Sequence, residues 1–288
     1  MGILEYLLLF SSVLIGGGLA FYLRRNDRNL VQLLLSFSGA YILGITFLHL
    51  VPETYHGNSQ IGFFVLVGFF IQLLLEQLSR GVEHGHIHAF SNTNTSAAFA
   101  IMVGLCLHAF IEGLPLDFHN HDHSIAIEVV DDNHHNHAHE HDEHNHSEDN
   151  HEGHDHAEHN HSEDKNQKKK GGINHLLFAI VLHKIPAAFA LGILLLLSKF
   201  KERTVIIYLA IFGAMSPLAA AIGSYLNSQG MLSAYAISAI MAIVIGSFLH
   251  IATTILFETD TNHKIPVNKL IAILIGLGIA ILTVQVGH

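Results

Sequence analysis

Ionisable side chains interrupt two apolar stretches of this sequence, GLCLHAFIEGLPLDF (residues 104–118) and AIVLHKIPAAFALG (residues 179–192). Glu112 follows His108 by four residues, so both side chains share one face of a helix. The second stretch contributes His183. Ionisable groups at membrane depth are costly unless they are paired or ligated, so they indicate function. Two imidazoles and a carboxylate form a ligand set for a divalent metal such as zinc.

The composition indicates an integral membrane protein. Only 13% of the 288 residues are charged and 50% are hydrophobic, whereas soluble domains carry about 25% charged residues. A membrane-spanning helix needs about 20 apolar residues. Eight stretches qualify, and they predict an all-α polytopic fold: 3–23, 30–51, 61–79, 96–118, 173–198, 204–226, 231–256 and 267–286. Cys106 is the single cysteine, which excludes an internal disulfide and a cysteine-cluster zinc site.

A low-complexity insert at 119–172 separates spans 1–4 (residues 1–118) from spans 5–8 (residues 173–288). It holds 15 histidines, and residues 119–164 contain 14 acids without any lysine or arginine. This composition predicts a disordered loop. Alternating histidines bind zinc weakly and in many registers, so we expect the loop to concentrate metal without selecting it. The remainder is only mildly basic, which argues against a nucleic-acid partner.

Positive charges in the short loops predict the orientation. Lysine and arginine fall in alternate connections: at 24–28, at Arg80, at 199–203, and at Lys264 and Lys269. Because short positive loops remain in the cytoplasm, both termini and the His-rich loop are predicted to lie outside it. The compact chain favours a bacterial inner (plasma) membrane.

The two interrupted spans are predicted to bring their ligands together at the membrane midplane. His108 lies about twelve residues into the fourth span and His183 about ten into the fifth, and these spans run in opposite directions. Pro115 and Pro186 follow the ligands and should kink their helices. Discontinuous midplane helices that carry polar ligands are typical of transporters.

Other polar residues suggest a path for metal on either side of this site. His49 and Glu53 form an i, i+4 pair at the outer end of the second span, and Asp117 lies at the outer edge of the fourth. Interfacial hydrogen bonding is the alternative role for these residues. At the inner ends the candidates are Glu76 of the third span and His250 and Glu258 of the seventh, together with His84, His86 and His88 of the loop after the third span. Solvated interfacial side chains are the favoured alternative role for them.

These motifs together resemble the signature helices of the ZIP (Zrt/Irt-like) family of divalent-metal transporters. HAFIEG and HKIPAAFALG are similar to its fourth and fifth helices. Further likeness lies in FLHLVPE (47–53), GAMSPLAAAIG (213–223) and GSFLHIATTILFE (246–258). The resemblance implies eight helices, a homodimer, and helices 1, 4, 5 and 6 sliding against helices 2, 3, 7 and 8. It also implies that His108, Glu112 and His183 are the primary metal ligands.

Three positions depart from the pattern of the family. Ala109 stands where asparagine is common, Lys184 where many relatives have an acid, and Ala187 where a second glutamate belongs. We therefore expect one metal instead of a two-metal centre. The Lys184 ammonium is hypothesised to replace the second cation by pairing with Glu112, and the alternative is a side chain that snorkels elsewhere.

The sequence thus favours an importer of zinc into the cytoplasm, with Fe²⁺ or Mn²⁺ as alternative substrates. No enzyme activity or cofactor is expected, and metal is the transported substrate. No P-loop is visible, so flux should follow the metal gradient. Three alternatives remain: a metal exporter, a membrane metal sensor and an intramembrane metallohydrolase. The last would need a second histidine in an HExxH arrangement, which His108 and Glu112 do not provide.

Overall fold

The computed structural model describes residues 1–23, 28–55, 60–82, 95–118, 175–198, 200–257 and 266–287. The described residues are almost entirely helical and include no strand, which confirms the predicted all-α class. The predicted loop at 119–172 lies outside them, as do the four inner-side candidates His84, His86, His88 and Glu258.

Eight helices occur in the described part of the chain, in the order of the predicted spans. They are α1 (Ile3–Leu23), α2 (Arg28–Ile45, continued by the segments Thr46–Leu50 and Val51–Thr54), α3 (Gln60–Ser79), α4 (Thr95–Gly113), α5 (His175–Leu197), α6 (Glu202–Ser228), α7 (Ala234–Phe257) and α8 (Val267–Gly287). By length and apolarity, seven of the described helices are candidates to cross a membrane, and α4 contributes a shorter apolar segment, Ala97–Gly113.

Helix α4 ends five residues before the predicted span does. The span was predicted to run to residue 118 with a kink at Pro115, but the helix stops at Gly113 and a turn follows. Backbone hydrogen bonds from Leu116 to Gly113 and from Phe118 to Pro115 close that turn. Proline lacks an N–H and disfavours helical geometry in the residue before it. Pro186, in contrast, lies inside α5, which continues past it.

The second helix changes its winding near its end. After Ile45 it continues as a π-helical segment, Thr46–Leu50, and then as one α-helical turn, Val51–Thr54. The N–H of Val51 donates to the carbonyl of Thr46, five residues earlier. Pro52 has no N–H to donate to the carbonyl four residues before it, so a regular α-helical ladder cannot run through this point. Single π turns often occur at functional sites, and this one carries His49.

The helices pack as two groups. In the first group α1 lies along α5 and α6, and α4 packs on α6; in the second group α3 lies along α7, and α2 packs on α8 and α7. The groups meet where α2 contacts α5 and where α3 contacts α4. We call them the α1/α4/α5/α6 group and the α2/α3/α7/α8 group.

Glycines let the helices within each group approach closely. A Cβ added to Gly16 of α1 would lie 2.1 Å from the carbonyl oxygen of Ile185 in α5. A Cβ on Gly68 of α3 would lie 2.0 Å from the carbonyl oxygen of Ile243 in α7. Small residues at such contacts provide the dense packing that holds helices together in lipid. The outward faces carry exposed apolar side chains, as expected of helices that contact lipid.

Candidate metal centre

Three predicted ligands converge inside the bundle. One ligand atom from each of His108, Glu112 and His183 can be chosen so that all three atoms lie within 4.8 Å of one another. The side chains are almost fully buried, with relative exposures of 3%, 0% and 1%. His108 Nε2 lies 3.0 Å from Glu112 Oε1. The two imidazole rings are nearly perpendicular, with centroids 6.1 Å apart. In the described part of the chain, this is the one group of three such residues close enough to share an ion.

Helix α6 fixes the position of the first two ligands. The i, i+4 spacing places His108 and Glu112 on one face of α4. Ser216 of α6 donates a 2.6 Å hydrogen bond to the carbonyl of Ala109. Gly113 lies so close to α6 that a Cβ on it would be 2.5 Å from the carbonyl oxygen of Ser216. The ligand-bearing turn of α4 is therefore held against α6 by both a hydrogen bond and close backbone packing.

A buried glutamine that belongs to no motif in the sequence contacts the first ligand. Gln72 of α3 is fully buried, and its Oε1 lies 2.9 Å from His108 Nδ1. Ser247 of α7 donates a 3.0 Å hydrogen bond to the same oxygen. An amide oxygen accepts, so this bonding assigns the proton to Nδ1 of His108. In the neutral imidazole Nε2 then presents a lone pair to the Glu112 carboxylate. Two acceptors face each other, an arrangement suited to a shared cation.

Lys184 lies beside the same carboxylate. Its Nζ is 3.5 Å from Glu112 Oε2, and it stands over the ring of Phe212, 5.0 Å from the centroid. The side chain is 1% exposed, so it does not extend to the edge of the bundle as a snorkelling lysine would. The two oxygens of Glu112 thus have different neighbours, with His108 at Oε1 and Lys184 at Oε2.

A second polar cluster lies where α2 ends and α5 begins. His49 Nδ1 is 3.1 Å from Glu53 Oε1, and the ring of His175 packs edge to face on His49 with centroids 4.7 Å apart. His175 is buried and is the first residue of α5, about 12 Å along the helix from His183 at 1.5 Å per residue. His175 is not distinguished in the sequence, because it follows a tract in which histidine is common.

The remaining path residues are separate from the three ligands. Asp117 is buried in the turn after α4 and forms an ion pair with the amino group of Met1. His250 of α7 lies 2.5 Å from Glu76 Oε2 of α3, and the ring of Phe69 packs edge to face on it at 4.8 Å. The turn and the His250 pair lie toward opposite ends of the bundle, because α4 ends at one and α3 at the other.

The two positions at which the family pattern has further polar residues, and at which this chain has alanine, are also buried. Ala109 and Ala187 are 0% and 3% exposed, and both have methyl side chains that cannot coordinate a cation. Lys184 places its ammonium beside Glu112. The buried centre therefore offers one set of two imidazoles and one carboxylate. Such a set can coordinate a single divalent cation and leave a position for an exchangeable ligand.

Comparison with known proteins identifies a relationship over the second half of the chain. Residues 172–283 match the family described as ZIP zinc transporter. The matched region spans α5, α6 and α7 and most of α8, and it includes His183 and Lys184. His108 and Glu112 precede it. No curated protein matches the chain.

Proposed function

We propose that this chain is a divalent-metal transporter of the ZIP family, whose model matches residues 172–283, and that it imports Zn²⁺ into the cytoplasm. The family match and the apolar helices support a membrane protein that transports divalent metal ions. We infer the binding site and the metal from the donor set and its geometry, and the direction of transport from the family resemblance and the positive loops.

The observation that carries the proposal is the convergence of His108, Glu112 and His183 in the interior, with ligand atoms within 4.8 Å. Zinc is commonly held by imidazole nitrogen and carboxylate oxygen at about 2.0–2.2 Å. Two ligands of a tetrahedral zinc ion are then roughly 3.3 Å apart, so small side-chain rotations suffice to close the site. Fe²⁺ and Mn²⁺ accept the same donors and remain the alternative substrates.

Three protein ligands suit transport better than permanent storage. A tetrahedral ion would keep a fourth position for water or a passing side chain, and an exchangeable ligand allows metal to enter and leave. We propose that one metal binds, because Ala187 provides no further donor and the Lys184 ammonium beside Glu112 would repel a second cation. The ammonium then balances the second oxygen of Glu112, where a two-metal site would have another cation.

Alternating access is proposed to occur by sliding of the two helix groups. All three ligands lie on α4 and α5, which belong to the α1/α4/α5/α6 group. The other group contributes none of the three. A group that carries the complete ligand set can move without dismantling it, as an elevator mechanism requires. By family resemblance we expect the protein to be a homodimer.

The polar clusters at the two ends suggest how metal reaches and leaves the site. His49, Glu53 and His175 would receive it at the end where α2 finishes, and Asp117 lies in the turn at that same end. The Glu76–His250 pair would accept it near the opposite end. We propose that the first end is extracytoplasmic and that the His-rich loop at 119–172 concentrates metal there.

Metal uptake by proteoliposomes tests the proposal. Wild type is compared with His108→Ala, Glu112→Gln and His183→Ala, and each of these variants should lose nearly all zinc flux. Thr283→Ala is a matched control, because it removes a partly buried hydroxyl that lies 3.4 Å from Tyr41 Oη, outside the cluster. Full flux in all three ligand variants would contradict the site. Zinc binding without flux in the wild type would indicate a sensor.

A further inference from the structure

Gln72 contacts the proposed metal centre without being one of its ligands. It is 0% exposed, and its Oε1 accepts from both His108 Nδ1 and Ser247 Oγ. Its amide nitrogen has no hydrogen-bond partner among the described residues. A buried donor without a partner costs free energy, so an apolar residue of the same size would stabilise this helix contact better. The contact with His108 is what glutamine adds at this position.

We propose that Gln72 is a positioning residue for metal binding, which holds the Nδ1–H of His108 and so directs the Nε2 lone pair toward Glu112. This inference rests on the proposed transport function. A neutral imidazole has one N–H, and the partner of that N–H determines which nitrogen is left to bind metal. The same oxygen accepts a hydrogen bond from the Ser247 hydroxyl, so Ser247 holds the Gln72 amide in place beside His108.

The position of Gln72 makes the contact dependent on conformation. Gln72 and Ser247 belong to the α2/α3/α7/α8 group, whereas His108 belongs to the other group. The 2.9 Å hydrogen bond therefore crosses the boundary along which the two groups are proposed to slide. A displacement of a few ångströms would break it. In the conformation described above, the hydrogen bond holds His108 in the orientation that binds metal. After sliding, His108 is free of this constraint, so the affinity of the site for metal is lower in the conformation from which metal leaves.

Equilibrium zinc binding to the purified protein tests the positioning role. Gln72→Met keeps the volume but removes the acceptor, and the dissociation constant should rise about 10–100-fold, the usual effect of losing such a partner. Gln72→Glu keeps an acceptor oxygen and should stay near wild type. Ser38→Ala is the matched control, because it removes another buried side-chain hydrogen bond, to the carbonyl of Leu35 within α2, and should leave the affinity nearly unchanged.

A second measurement examines the tautomer directly. In ¹⁵N NMR of histidine-labelled wild type at pH 8 without metal, the His108 signal, assigned by its loss in His108→Ala, should show the Nδ1–H form. It should shift toward the Nε2–H form in Gln72→Met. An Nε2–H form in the wild type, or unchanged affinity in Gln72→Met, overturns the role of Gln72. Wild-type affinity in His108→Ala would instead refute the metal site itself. Should Gln72→Met not fold, the wild-type tautomer and Gln72→Glu decide the question.

Discussion

Replacing Lys184 by methionine should make the stability of the protein depend on bound metal. The ammonium of Lys184 lies 3.5 Å from Glu112 Oε2, and the two side chains are 1% and 0% exposed. Methionine keeps much of the apolar stem but removes the charge. Glu112 then remains as a buried anion without its lysine partner, and a divalent cation becomes its principal source of compensation.

The geometry sets the size of the effect. Coulomb attraction across 3.5 Å amounts to about 5 kcal/mol at an effective dielectric constant of about 20, and desolvation of both charges offsets part of it. Removing one partner of a buried pair typically costs about 3–5 kcal/mol, because the other charge stays buried. At roughly 2 °C per kcal/mol for a chain of this size, the denaturation temperature without metal should fall by about 6–10 °C.

Zinc should reverse most of this loss. It should also bind the Lys184→Met variant at least about tenfold more tightly, or about 1.4 kcal/mol, because no ammonium repels it. Thermal denaturation with and without zinc, together with equilibrium binding, measures both effects. Lys269→Met is the matched control, since that ammonium donates to the carbonyl of Ile255 at 3.1 Å. The reasoning is refuted if Lys184→Met denatures like wild type without metal and gains no more from zinc.

Three further outcomes are expected. Zinc uptake should decline between pH 7.5 and 5.5, because metal binding needs neutral imidazole and the ordinary histidine pKa is about 6.5. An uptake rate that does not change over this pH range would exclude histidine ligation from the rate-determining step. Gly68→Val should destabilise the protein by about 1–3 kcal/mol, because its Cβ would collide with Ile243. Gly18 has open space around it, so Gly18→Val should have little effect on thermal stability. Equal effects of the two substitutions would contradict the close packing at Gly68. Deleting residues 119–170 should reduce zinc uptake only at low metal concentration. Loss of uptake at saturating zinc would show that the loop does more than concentrate metal.

Much of the fold could be predicted because hydropathy reports each helix separately. The predicted bounds of the first span, 3–23, agree with α1, and most other spans agree within a few residues. The predicted end of the fourth span was wrong, because apolar side chains continue to Phe118 whereas the helix ends at Gly113, before Pro115. Hydropathy measures the preference of side chains for lipid and contains no information on backbone hydrogen bonding.

The candidate site was predictable where it depends on spacing within a helix. The four-residue interval put His108 beside Glu112, and the depth of His183 in its span brought it close to them. Gln72 was not predictable, because its role comes from contact between α3 and α4, which a single sequence does not specify. The direction of the long Lys184 side chain also required the packing around Phe212.

The pairing of Glu112 with Lys184 has a consequence for the energetics of the proposed carrier. With neutral imidazoles, the empty cluster has no net charge, whereas the loaded cluster carries the full charge of the metal. A membrane potential that is negative inside would therefore pull the loaded carrier inward and leave the returning empty carrier unaffected. Two elementary charges moved through 100 mV correspond to about 4.6 kcal/mol, so we expect flux through the proposed carrier to depend on the membrane potential as well as on the metal gradient.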